Sequence, residues 1–283
     1  MDINRRGALA GLAAGAVAAP ALARSIGAKA GGIDFTTPAG RFRTFMLMRG
    51  ALDEQLVIGW MQANYYGVVD DRMEPLFDVV AAVFNRYRRL ADGGVEVVNA
   101  ELAWFVDRET GKAMDSFRNP YTGVSVDVPG GGLSPSKYTF GPDLSMRLGR
   151  EMPGMEFAHE VLPPVVRGGD VWITERSRSS FPIPGQVKLM RYSESNVFHA
   201  PRSAVEARGA TRVVSDVSFT NVVSWRPWMK MGDHPGHLTA SGAGRHGASL
   251  ASLPPAWLGA TRARRPEVLR DPAALVAPLW DAR

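Results

Sequence analysis

Val95–Val106 reads VEVVNAELAWFV, and this stretch decides the fold. Side chains alternate across a strand, so Val98, Ala100, Leu102, Trp104 and Val106 share one face. That face is wholly apolar. Val97, Asn99 and Glu101 share the other, which mixes an apolar, an amide and a carboxyl side chain. This alternation marks the segment as a strand. Working outward, Asp92-Gly93-Gly94 precedes it as a turn, and Asp107-Arg108-Glu109-Thr110-Gly111 follows as a hairpin loop. Upstream, Leu56–Val69 (LVIGWMQANYYGVV) and Val79–Arg89 (VVAAVFNRYRR) are rich in β-branched and aromatic residues. The pattern from Phe42 to Val128 therefore reads as mostly strand. Lys112–Arg118 is expected to return alongside the 95–106 strand, before a turn at Asn119–Gly123.

Further strands are expected at Asp170–Phe181, Val187–Ser193 and Arg212–Trp225. Ahead of them, Gly130-Gly131-Gly132 with Pro135, Pro142, Pro153, Pro163 and Pro164 breaks any long element, and Glu151–Val161 is read as a short helix. Pro255–Gly259 and Pro266–Arg270 read as helical pieces. Consecutive strands with short turns favour an antiparallel meander, and large meanders close into barrels or sandwiches to remove raw edges. The fold class expected is mainly β: a lipocalin-like barrel or sandwich with short C-terminal helices.

The N-terminus reads as an address. Arg5-Arg6 precedes an Ala- and Gly-rich apolar stretch that ends in Ala21-Leu22-Ala23, the three-part form of a signal peptide. The arginine pair suggests the twin-arginine route, so a periplasmic or otherwise exported location is expected. Three parts follow: a signal peptide over 1–23, a flexible link over 24–34, and one β-rich domain with a helical tail over 35–283. Cleavage after Ala23 would leave 260 residues with a formal charge of +4. No other apolar run is long enough to span a membrane, so no stable span is expected after cleavage.

Composition narrows the chemistry. The 283 residues contain no cysteine, which excludes disulfides and thiolate ligands or nucleophiles. The formal charge of +5 is small and spread out, so nucleic acid is not an expected partner. There is no Walker loop, dinucleotide glycine fingerprint or Gly-x-Ser-x-Gly elbow. Asp233-His234-Pro235-Gly236-His237 brings two metal-ligating rings together in sequence. Pro-Gly between them makes a turn, however, and no second cluster exists. Neither a metal nor a cofactor is expected.

Several words, kept in order along the chain, carry a family resemblance. They are Phe45-Met46-Leu47-Met48-Arg49-Gly50, Gly59-Trp60-Met61 with Tyr65-Tyr66-Gly67, Phe84-Asn85-Arg86-Tyr87, and Phe117-Arg118-Asn119-Pro120-Tyr121-Thr122-Gly123. Trp228-Met229-Lys230-Met231-Gly232 and Pro235-Gly236-His237-Leu238 complete the set. Together they resemble the exported bacterial family, with fungal relatives, called domain of unknown function 1838. The resemblance implies one coherent domain and carries no mechanism.

Candidate site residues come from the chemistry alone. Tyr65, Tyr66, Arg86, Glu101, Arg118, Tyr121 and His237 are the candidate catalytic groups. An inward Arg can fork onto a carboxylate or enolate, and a Tyr, Glu or His can move a proton. Trp60, Asn85, Tyr87, Trp104, Asn119, Trp172 and Trp228 are candidate substrate contacts, supplying apolar area or an amide that holds a carbonyl oxygen. Glu175, inside the 170–181 strand, is a further carboxyl able to face a pocket. In a strand, neighbours face opposite ways, so only one of Tyr65 and Tyr66, and one of Arg86 and Tyr87, can line an interior. The function expected is an exported, cofactor-independent acid–base enzyme of lyase, isomerase or cyclase type. Its partner would be a bulky apolar or aromatic small molecule. The alternatives are a non-catalytic carrier of a hydrophobic ligand and a structural envelope protein. A homodimer is compatible with the sequence.

Overall fold

A computed structural model describes residues 32–282, apart from positions 134, 151 and 184–187. The signal-peptide expectation for 1–23 lies outside the described residues. From Ile33 onward the chain is one compact unit.

The chain opens with helix α1 (Pro38–Arg49). Strands β1 (Val57–Val69), β2 (Arg72–Arg89) and β3 (Val95–Val106) follow as a meander. Next come the short strands β4 (Ser116–Arg118), β5 (Ser125–Asp127), β6 (Ser136–Phe140), β7 (Met146–Leu148), β8 (Glu156–Val161) and β9 (Val165–Arg167). The second half carries β10 (Asp170–Phe181), β11 (Met190–Pro201), α2 (Arg202–Val205), β12 (Ser215–Val223) and β13 (His237–Ala248). Helices α3 (Pro255–Arg264), α4 (Pro266–Arg270) and α5 (Ala277–Asp281) end it.

Ten strands form one antiparallel path, β7-β6-β3-β2-β1-β13-β12-β11-β10-β8, with β9 beside β10. The path curls into a nearly closed barrel. Its unpaired edges are β7 and β8, and the ring of Phe140 meets that of His159 across them at 5.5 Å. Closure protects the other strand edges.

Three apolar clusters divide the core. At one end α1 acts as a plug. Phe45, Met46, Leu47 and Met48 are fully buried against Tyr87, Val97, Phe140, Ile173 and Phe198. Thr37 caps the helix by accepting from the Gly40 amide at 3.1 Å, and Pro38 sits in its first turn, where a missing N–H costs nothing. At the other end, Phe77, Phe117, Phe219, Met229 and Leu238 pack with the ring of Trp228. Outside the wall, Val98, Ala100, Leu102, Trp104 and Val106 of β3 lie under α3–α5, where Trp257 and Trp280 cover them. The two faces read from the 95–106 stretch are thus the outer and inner faces of the barrel.

Four local expectations are corrected. Residues 38–49 are helix, not strand: buried apolar side chains lie on all sides of the plug, so no helical period shows. Residues 156–161 are strand β8, held by pairing with β10. The 112–118 segment does not return along β3 beyond a single bridge, Val106 to Ala113. Instead β4 pairs with β5, and β6 takes the edge of β3. Finally, the strand expected at 187–193 continues to Pro201 as β11.

Strand β13 went unread because His237–Ala248 (HLTASGAGRHGA) has almost no β-formers. It is central nonetheless, between β1 and β12. A Cβ at Gly242 would overlap the backbone carbonyl oxygen of Gln62, so the close approach of β13 to β1 requires glycine there.

Candidate functional site

Between the two apolar ends, the inward residues of the wall turn polar. On β2 and β3, Asn85 faces Asn99, and Val83 faces Glu101. On β10 and β11, Glu175 faces Asn196, and Ser177 faces Glu194. β13 adds His246 and β8 adds His159. α1 reaches in from the plugged end with Arg49. Met61, Met146, Phe157, Phe198 and Val217 fill the rest of the lining, around a cavity of about 260 Å³.

Arg49 is the fixed point of this belt. Its guanidinium donates to Glu175 Oε2 at 3.3 Å, to the Tyr87 hydroxyl at 2.9 Å and to the Tyr138 hydroxyl at 3.0 Å. The Tyr87 hydroxyl in turn donates to the Arg49 carbonyl at 3.1 Å. Glu175 also meets His159 Nε2, at 3.1 Å through Oε1. Burial alone would raise the Glu175 carboxyl. The Arg49 charge and the His159 bond outweigh it and hold the carboxyl below the usual range. The other ring nitrogen of His159, Nδ1, is buried and has no partner. In the tautomer that donates from Nε2 to Glu175, Nδ1 is an acceptor.

Two more carboxyls sit in the same lumen in the opposite condition. Burial pushes Glu194 up, against hydrogen bonds donated by the Tyr192 hydroxyl and by Asn196 Nδ2, the latter at 2.6 Å. Glu101 is raised by enclosure within the barrel and then by the charge of Glu194. Its side chain is exposed and borders the cavity. β6 ends opposite Asn99, so Glu101 lies on the first part of β3 with no neighbouring strand on that side. His246 is driven down to about 3 by burial and then by the Arg49 charge, so its imidazole is neutral. Deeper in, Asn221 donates to the Tyr65 hydroxyl at 2.9 Å.

Of the residues singled out from sequence, the structure brings Tyr65, Asn85 and Glu101 to the inner face. Tyr87 is also inward but is engaged with Arg49. The remainder are elsewhere. Tyr66 faces outward beneath Arg108, 5.4 Å from its ring, and Arg86 stacks outside on Trp280 at 4.2 Å. Arg118 is exposed on β4. Tyr121 packs on Trp225 at 5.2 Å over the far end, and Asn119 is buried there, donating to the Met229 carbonyl at 2.9 Å. His237 is on the outer face of β13, opposite Val68. Trp60 borders the cavity, but its ring joins the outer layer. Trp104 donates to Thr261 Oγ1 at 2.9 Å under α3, and Trp172 stacks on His199 at 5.0 Å outside the barrel. Trp228 packs among Phe77, Phe105 and Phe117 as part of the end cluster.

Arg49, His159, Glu194, Asn196 and His246 belong to the belt and were not among the site candidates; Asn99 was noted only by its strand face, and Glu175 as a further carboxyl able to face a pocket. Arg49 follows four buried apolar residues, and only the tertiary fold turns it inward. Glu194 and Asn196 are two apart on one strand, a spacing that does signal a shared polar face. His159 was hidden by the helical reading of its segment. Among the described residues, no group of three His, Asp or Glu side chains is close enough to hold a metal ion.

A family model described as "Protein of unknown function (DUF1838)" matches residues 53–276. No curated protein matches the chain. The match covers nearly all of the barrel and most of the C-terminal helical layer, and the chain therefore belongs to the DUF1838 family.

Proposed function

We propose that the chain is an exported enzyme that carries out cofactor-independent acid–base chemistry on a small molecule held in the barrel lumen. One observation carries this reading. A single cavity holds titratable groups whose surroundings push them apart: Glu175 toward the ionised form, Glu101 and Glu194 toward the protonated form. Such separation is how one site supplies both an acid and a base near neutral pH. His159, oriented by Glu175, accepts the proton. Glu194 or Glu101 returns one. Asn85, Asn99 and Asn196 hold polar atoms of the substrate, and Met61, Phe157 and Phe198 take its apolar body. Proton removal and return of this kind suits an isomerase or an eliminating lyase. The cavity, about 260 Å³, limits the substrate to a compact molecule.

The export part of the proposal rests on Arg5-Arg6 and the apolar stretch after it. Replacing both arginines with lysine should retain the protein in the cytoplasm, read by cell fractionation.

The test of chemistry begins with native mass spectrometry of protein purified from its own host. The retained molecule is then incubated with fresh protein in D₂O. Deuterium uptake or conversion that disappears in His159→Gln supports the enzyme. A molecule that binds and leaves unchanged, with wild type and His159→Gln alike, refutes it and leaves a carrier.

A further inference from the structure

Not every carboxyl in the lumen has a cation beside it. Arg49 is matched by Glu175 at 3.3 Å. Among the described residues, Glu101 and Glu194 form no ion pair, and Glu101 accepts no hydrogen bond from the protein at all. Among the same residues, Glu194 accepts from Tyr192 and Asn196 alone. Besides His159 Nδ1 and Trp60 Nε1, two more side chains on the cavity wall carry a partnerless polar atom. Asn196, 9% exposed, keeps its Oδ1 unpaired, and His246, 6% exposed, keeps its Nε2 unpaired. Three of these four groups are acceptors by nature. The fourth, a neutral imidazole, accepts in one of its tautomers. Unpaired acceptors gathered in an enclosed space are costly, and a donor-rich occupant removes the cost. An anion gains no charge partner from these two carboxyls. A neutral alcohol brings one donor and no charge. An ammonium brings up to three donors and a positive charge, so its arrival favours ionisation of carboxyls that burial alone keeps protonated.

We infer that the occupant of the lumen is a cationic amine: an ammonium head seated between Glu101 and Glu194, within reach of Asn196 and His246, on a compact apolar body. The body packs against Met61, Met146, Phe157 and Phe198, which share the same cavity. Glu101 marks the way in. It is exposed where β6 stops short along β3, so the first carboxyl a ligand meets also attracts its charge. This inference deepens the proposed function and rests on the lumen being the working site. It does not require that the bound amine react.

The test uses three molecules of matched shape, benzylamine, benzyl alcohol and benzoate, titrated into the full chain at pH 7 by calorimetry. Benzylamine should bind about tenfold more tightly than benzyl alcohol, with benzoate weakest. Glu101→Gln and Glu194→Gln should each lower benzylamine affinity about tenfold and leave benzyl alcohol affinity as it was. Circular dichroism establishes that each variant is folded, and if neither folds, the three-ligand ranking on the wild type decides alone. Equal binding of amine and alcohol, tighter binding of benzoate, or no binding of benzylamine at millimolar concentration would each overturn the inference. Amine binding without deuterium exchange or conversion supports it while counting against the enzyme.

Discussion

Replacing Arg49 with Met removes the guanidinium that faces Glu175 and keeps an unbranched apolar stem. Both partners are well shielded, at 16% and 9% side-chain exposure, so water cannot take the place of the lost charge. Breaking such a pair from one side costs about 3–5 kcal/mol, because the surviving charge stays enclosed and unmatched. The Tyr138 hydroxyl also loses its partner, whereas the Tyr87 hydroxyl still donates to the residue-49 carbonyl. For a chain of this size, each kcal/mol lowers Tm by roughly 2–4 °C, so a fall of about 10 °C is expected. The double variant Arg49→Met/Glu175→Leu removes the stranded charge as well, and should recover at least half of the loss.

Acid sharpens the experiment. In the wild type, the Glu175 carboxyl is held below its unfolded value. It therefore contributes stability above the unfolded pKa that is lost as pH falls through the folded one. Without Arg49, burial is left unopposed, the carboxyl moves above its unfolded value, and protonation then relieves the penalty. Urea unfolding at pH 7 and pH 4 should show the gap between wild type and Arg49→Met narrowing on acidification. A gap of equal size at both pH values, or a double variant no better than the single, would refute the reasoning.

Other outcomes follow from the same physics. Glu101 and Glu194 are raised on folding, so the native state holds protons that the unfolded chain releases, and stability falls as pH rises from the unfolded carboxyl range toward their folded values. Glu194→Gln should flatten that decline in unfolding free energy measured between pH 4.5 and 7.5, and an unchanged slope would count against a raised Glu194. Trp257→Ala should cost about 3–5 kcal/mol in urea unfolding, since it empties a fully buried site under Phe84 and strands the Leu102 carbonyl that the indole bonds at 2.8 Å. Gly242→Ala should destabilise by about 1–3 kcal/mol or more, because its new methyl meets backbone that cannot rotate away; a neutral result would mean that β13 sits farther from β1 than described.

The barrel was legible wherever a strand had to satisfy two different surroundings. Val95–Val106 shows its two faces directly, one apolar beneath helices and one mixed beside a cavity. Legibility failed where tertiary contacts replaced local preference. The plug helix α1 hides its period because Phe45–Met48 are enclosed on every side, and β13 is glycine-rich because a neighbouring strand lies so close. Alternation placed Tyr65, Asn85 and Glu101 among the strand candidates but left open which parity faces inward. Arg49, His159 and Glu194 were not legible, because a lumen is assembled from residues more than a hundred positions apart, and nothing in a linear pattern says which ones will meet. Outward-facing aromatics misled for the same reason: Trp104, Trp172 and Tyr66 have the composition of a pocket wall but the wrong parity.

The plug has a cost in time. Its last turn is anchored by Ser215, whose hydroxyl donates to the Met48 carbonyl from 167 residues downstream. A ribosome adding about 5–20 residues per second needs roughly ten to thirty seconds to make that partner after Met48 emerges. Through that interval Phe45, Met46, Leu47 and Met48 have no barrel to enter. Contacts of such long range also fold slowly once the chain is complete. A newborn chain therefore presents four adjacent greasy residues near its front end for longer than most small domains would. Whatever binds that segment first, a chaperone or another copy of the chain, competes with the barrel for its own stopper.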